Sequence, residues 1–303
     1  NFSYSAFLPD VVRVLEAGCD VDAQGRVCHV ATVAGNSFQG TLTWCSGWHD
    51  ERIAKDALAR VFWPAHLEQI GGLVPINRLL PLDTVDHSIN LFETVPRSWS
   101  RQFRVLDRAQ ELWHQLPPSK QALFNEIFWD SECFRHYIVI PATINGHHNG
   151  WGGNLRHAVE MAEHAERIAL DVEGVSSDLL VLAGLLYNAP QADAYAWKDG
   201  QWVLAGPAVI QATRQRFEER LTAILERRPG LLTDGERKIL WQILFGHPGG
   251  RELPAQAPML ALETEILRMA DRLSCVEKLS LLKSSRAGSL VRMAAPVFGS
   301  ASE

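Results

Sequence analysis

Two histidine-bearing segments and one aspartate are the parts of this chain whose residue types could do chemistry. They are His147-His148-Asn149-Gly150-Trp151-Gly152-Gly153-Asn154-Leu155-Arg156-His157, Gly246-His247-Pro248, and the Asp271 of Ala270-Asp271-Arg272-Leu273-Ser274. Neutral imidazoles and carboxylates are electron-rich and together anionic, which is what a divalent cation requires of its ligands. His157 stands early on an expected helix, four residues after Gly153, where a missing side chain lets the chain pack closely. Asp271 falls in an amphipathic pattern, where a buried and unpaired carboxylate would be costly.

Each of these residues also has a plainer reading. His157 fits a structural histidine, and the glycines and proline around His247 explain it as loop geometry. Asp271 has Arg268 and Arg272 within reach on its own helix. His147 and His148 either line a pocket mouth or bond the backbone of a tight loop. His164 lies one heptad after His157 with Glu160 between them, which fits a relocated site or a solvent-facing helix face. Asp193 is a conceivable replacement carboxylate. Trp44, Trp48 and Trp63 suit either base stacking or core packing. No G-x-S-x-G elbow, Walker A loop or dinucleotide fingerprint occurs, so a serine triad and nucleotide loops of those kinds are excluded.

The elements that must position these groups change character along the chain. Residues 1–98 read as β-rich, with runs at Gly25–Ala34, Phe38–Cys45, Arg60–Phe62 and Ile76–Leu82 between turn-forming residues, a pattern of small barrels and sandwiches alike. From Ser98 the spacing of Phe103, Leu106, Ala109, Leu112 and Trp113 is helical, and further helices are expected at 119–129, 153–170, 177–188, 206–227, 234–246 and 258–284. Thr233-Asp234-Gly235-Glu236 reads as a capping box.

Composition bounds the rest. With 303 residues, 47% hydrophobic and 21% charged, the chain is long enough for one large domain or two ordinary ones. A net charge of −6, with seven Lys/Arg against eleven Asp/Glu over residues 1–98, excludes a strongly electrostatic nucleic-acid binder. No apolar run approaches the roughly 18 residues of a membrane span. Five dispersed cysteines without a CxxC pair, and no basic-then-apolar leader, give a cytoplasmic location with reduced thiols as the expectation.

The ordered set Gly152-Gly153-x-x-x-His157, the apolar helix ending at Leu185-Leu186, and Glu263 through Asp271 resembles the HD superfamily of metal phosphohydrolases. Within it, the chain is most similar to YhaM-type 3′–5′ exoribonucleases, which join an OB-fold to an HD domain; HD-type relaxases share the Gly-Gly-x-x-x-His helix. The resemblance implies an α+β protein: an OB-like β-barrel over 1–98, a helical linker over 99–140, an all-α HD-type domain over 141–290 and a flexible tail over 291–303. It also implies that His148, His157, Tyr187, Asn188, His247 and Asp271 line the old metal pocket. Tyr187-Asn188 then stands where a metal-binding His-Asp would be, Gly206-Pro207 where another histidine is expected, and Gly246-His247 where a His-His is expected. Two dications about 4 Å apart repel by roughly 17 kcal/mol at an effective dielectric near 20, and a bridging carboxylate normally offsets much of that. Asn188 and a neutral Tyr187 cannot. The expectation is a degenerate HD protein without a two-metal centre. Such a protein would bind single-stranded nucleic acid, a nucleotide or a protein partner. Of the ligands that the resemblance implies, His157, His247 and Asp271 remain, and two histidines with one carboxylate form a facial set for one ion of manganese, iron or zinc. The alternative is therefore a phosphodiesterase or 3′–5′ exonuclease with that mononuclear site.

Overall fold

The computed structural model describes residues 8–21, 27–35, 38–46, 50–66, 72–100, 102–246 and 261–275. Six strands come first: β1 (Val11–Val21), β2 (Val27–Gly35), β3 (Phe38–Cys45), β4 (Leu58–Phe62), β5 (Leu73–Pro75) and β6 (Arg78–Pro81). They form one sheet in the order β5-β3-β2-β1-β4-β6, antiparallel except for the parallel pair β3–β5.

The expected OB-like barrel is overturned, because among the described residues no ladder joins the end strands β5 and β6 and the sheet stays open. The reason is in the segment that carries both. Strands of three and four residues each end in a proline, Pro75 and Pro81, which lacks the N–H a closing ladder needs. Ile76 and Asn77 between them donate only single bonds, to Thr43 O and Phe62 O. One face of the sheet still builds its own core from Val12, Val14, Ala31, Val33, Leu42 and Trp44 with their neighbours.

Two further features of the sheet escape the sequence pattern. β1 is bulged between Val14 and Glu16, so its alternation slips. Arg13 beside the bulge is fully buried, its guanidinium bonded to Asp56 O, Ser131 Oγ and Thr94 Oγ1 and lying 4.8 Å from the Trp99 ring. Burial lowers its pKa to about 10, with Asp56 opposing the shift.

Helices follow from Phe103. α1 (Phe103–Gln115) buries Leu106, Ala109, Leu112 and Trp113 as its spacing requires. It stops at Leu116 because the residue before a proline is driven out of the helical region, here to ψ 141°. Pro118 then opens α2 (Pro118–Phe128), a position where its missing N–H costs nothing. α3 (Ser131–Val139) is capped by the Asp130 carboxylate on Cys133 N. These three helices share one hydrophobic core with α4 (Gly153–Ala169), α5 (Ser177–Leu186), α6 (Pro207–Arg227), α7 (Asp234–Phe245) and α8 (262–275). A small hairpin of β7 (Tyr195–Lys198) and β8 (Gln201–Leu204) sits between α5 and α6.

From Leu179 onward α5 is apolar around its whole circumference and buried, as a central helix must be. It lies against α4 at backbone distance: a β-carbon on Gly184 would come within 2.7 Å of Ala162 Cα. The capping box at Thr233 and Glu236 is present as expected. Pro207 and Gly246 serve helix ends: Pro207 is the first residue of α6, and Gly246 caps α7 with φ 83°. Among the described residues, no helix is long and apolar enough to cross a membrane.

Candidate metal centre

The loop 140–152 brings two histidines back over the start of α4. It is pinned by Ala142 N to His148 O, Gly152 N to Val139 O and Asn154 N to Ile140 O. The Asn154 amide adds a bond to Tyr137 O, and Thr143 Oγ1 donates to His147 O. His148 takes a left-handed backbone, φ 51°. Gly153 is obligatory here, since a β-carbon would overlap the carbonyl oxygen of His148. The sequence motif is thus first a folding device that lays His147 and His148 against His157 one turn into α4.

Four elements converge at that point. His147 and His148 come from the loop, His157 and Glu160 from α4, Tyr187 from the end of α5, and Asp271, Ser274 and Cys275 from one face of α8. The His147 and His157 rings have centroids 4.9 Å apart, His148 and His157 5.9 Å, and Tyr187 lies 6.2 Å from His157, edge to face. His157, His148 and Ser274 are buried, whereas Asp271 and Cys275 are half-buried.

A hydrogen-bond relay fixes the orientation of His157. Glu160 Oε2 receives His148 Nε2 at 2.7 Å and Ser274 Oγ at 2.8 Å, while Oε1 receives Arg156 Nε at 2.8 Å. Ser274 has a single proton, and giving it to Glu160 leaves Oγ to accept from His157 Nδ1 at 3.0 Å. The other ring nitrogen, Nε2, then faces Asp271 Oδ1 at 3.4 Å. On a neutral ring that nitrogen carries a lone pair, and two lone-pair atoms so close are stabilised by a shared cation. The Glu160–Ser274–His157 chain is the kind of outer support that orients a ligating imidazole.

Electrostatics agree with a cation-seeking site. Burial tends to raise the Glu160 carboxyl, but the bonds from His148, Arg156 and Ser274 outweigh it and bring the pKa down to about 2. Burial, reinforced by the neighbouring His157 and His148, lowers the pKa of His147, which keeps that imidazole in its ligating form. The Cys275 thiol is pushed up by burial and by the carboxylates of Asp271 and Glu160. Tyr187 is also raised, by burial first and by Asp271 next, so its phenol stays protonated.

His147, Asp271 and Cys275 place one ligand atom each within 4.8 Å of one another, and Cys275 Sγ is 3.3 Å from the His147 ring nitrogens. Tetrahedral zinc holds its ligand atoms about 3.3–3.8 Å apart, from metal–ligand bonds of about 2.0–2.3 Å. The His147, Asp271 and Cys275 group therefore fits a single divalent ion after side-chain adjustment, and His157 lies at its edge, within hydrogen-bonding range of Asp271 alone among the three. A thiolate in the set favours zinc or iron over magnesium and manganese.

The structure sorts the residues named from sequence. His148, His157, Tyr187 and Asp271 come together. Asn188 is engaged elsewhere: its Oδ1 accepts from Gln191 Nε2 at 3.0 Å, and it lines a cavity of about 140 Å³ with Tyr187, Arg214 and Leu244. His247 and Trp48 lie outside the described residues. Asp271 meets His157, while Arg268 bonds Glu265. Asp193 lines a separate cavity with Cys133, Arg216 and Arg220. His164 is buried beside Arg167, not solvent-facing. Trp44 is in the sheet core and Trp63 packs against it, so both are packing residues. Ser274 and Cys275 were missed as site residues. Their signal was Asp271 itself, because positions three and four further on share its helix face.

Comparison with protein-family models, with curated proteins and with solved structures finds no match. What the geometry establishes is a helical region bearing a His/Asp/Cys group able to hold one divalent cation.

Proposed function

We propose that the helical region over 141–290 is an HD-like domain reduced to one metal ion. In this reading it binds a phosphate-bearing ligand, a nucleotide or the end of a nucleic-acid single strand, without two-metal hydrolysis. The observation that carries the reading is Tyr187: a half-buried, protonated phenol stands edge to face with His157 and within the field of Asp271, where a second cation would need an anionic bridge. His147, His157, Asp271 and Cys275 would hold the ion, and the ion would supply a positive anchor for a phosphate oxygen. Arg214 lines the adjoining cavity, and both Arg214 and Arg268 act electrostatically on Tyr187. That cavity, about 140 Å³, is well below the roughly 300 Å³ of a drug-sized pocket, so it suits a phosphate or sugar with the base outside. The domain division and a cytoplasmic setting belong to the same proposal.

Metal analysis of protein purified without chelator tests it, together with titration of a short oligonucleotide followed by tryptophan fluorescence. One zinc or iron per chain, quenching by the oligonucleotide and no product support the reading. Two ions per chain with release of mononucleotides would establish a working nuclease instead. His157→Ala and Asp271→Ala should each lose the ion.

A further inference from the structure

The sheet carries a second pair of reactive groups, remote in sequence from the histidine cluster. Cys28 on β2 and Cys45 on β3 are directly opposed in the antiparallel register. Facing residues on such strands have α-carbons about 4.5–5.5 Å apart. That lies within the about 4.4–6.8 Å that a disulfide spans. The two sulfur atoms are already 2.9 Å apart, and Cys45 is exposed. Neither thiol sits in the sheet core, whose side of the ladder is taken at the next positions by the stacked His29 and Trp44 rings. Cys45 also borders a cavity of about 330 Å³ whose other lining residues include Asn77, the exposed Arg78 and Asp50, whose carboxylate is paired with Arg52. A small anionic reactant therefore has room to reach the sulfur, and a guanidinium to meet its carboxylate.

We propose that Cys28 and Cys45 form a redox-active dithiol that a small anionic disulfide of the glutathione type oxidises to an intramolecular bridge across β2 and β3. The Cys45 thiolate attacks one sulfur of the small disulfide, forming a mixed disulfide and expelling the first thiolate. Cys28, as thiolate, then attacks Cys45 Sγ and expels the second. The two protons shed by the cysteines pass to the two released thiolates. Two protein thiols and one small disulfide thus become one protein disulfide and two small thiols, with two electrons passing to the reagent. The bridge fastens the open end of the β2–β3 hairpin, beside the short edge strand β5. It is independent of the metal centre, and its test says nothing about that site.

The test uses the full chain, incubated with oxidised glutathione, quenched with N-ethylmaleimide and mapped by mass spectrometry. Titratable thiols in denaturant should fall from five to three, because two of the five cysteines are consumed. The peptides carrying Cys28 and Cys45 should appear linked, two hydrogens lighter than their sum and without retained glutathione. In Cys28→Ser, Cys45 should instead retain one glutathione, because the resolving thiol is missing. The proposal is overturned if wild-type protein keeps all five thiols, if Cys45 ends as a stable glutathione adduct with Cys28 free, or if the exposed Cys19 enters the bridge in place of either.

Discussion

Glu160 holds the histidine cluster together, and Glu160→Gln measures how much. The carboxylate receives three donors, from His148, Arg156 and Ser274, and its pKa of about 2 lies below an ordinary value of 4.5. A difference of 2.5 units corresponds to at most about 3.4 kcal/mol at about 1.36 kcal/mol per unit. The Arg156 bond is half exposed and screened, so the expected loss in Glu160→Gln is about 2 kcal/mol at pH 7. The sign follows from the direction of the shift. A depressed folded pKa gives stability that is complete above 4.5 and lost as pH falls towards 2. Urea unfolding of both proteins, with EDTA present so that no ion contributes, should show the difference shrinking to less than half at about pH 3. Equal stability at pH 7, or a difference unchanged at pH 3, would refute the assignment of Glu160 as the charged anchor.

Other perturbations reach different parts of the molecule. Arg13→Met removes a fully buried cation together with its bonds to Asp56 O, Ser131 Oγ and Thr94 Oγ1; Asp56 O keeps the Ser131 hydroxyl as donor, but Ser131 Oγ and Thr94 Oγ1 lose theirs, and a loss of about 2–4 kcal/mol is expected in chemical denaturation, a neutral result refuting it. Gly153→Ala forces a β-carbon into the His148 carbonyl, so it should destabilise by about 3 kcal/mol or more and displace His148, visible in histidine ring NMR signals. Cys275→Ser replaces the soft ligand by a hydroxyl and should weaken zinc far more than manganese, read by competition with a chromophoric chelator. Equal loss for both ions would place Cys275 outside the ligand set.

Helices were largely legible in the sequence because their burial is periodic and their ends are chemically marked. Leu106, Ala109, Leu112 and Trp113 announced α1, and Thr233 with Glu236 announced the start of α7. β1 was not legible, because a bulge breaks its alternation and an inward Arg13 looks like a surface residue. The barrel expectation failed for a related reason. Short strands at regular spacing are common to open and closed sheets, and closure depends on whether the last strands can pair, which Pro75 and Pro81 prevent.

For the candidate metal centre, the sequence by itself supplied the ligand types: imidazoles at 147, 148 and 157 and a carboxylate at 271, with a phenol and an amide at 187 and 188. It also supplied the Gly153 without which the loop cannot approach α4. Only the tertiary structure decided that Ser274 and Cys275 join the group, that Asn188 is used up by Gln191, and that His157 presents Nε2 to Asp271. Those outcomes depend on how α4, α5 and α8 pack, and helix packing is set by side-chain fit among elements more than a hundred residues apart in places. A single sequence carries no direct record of that fit.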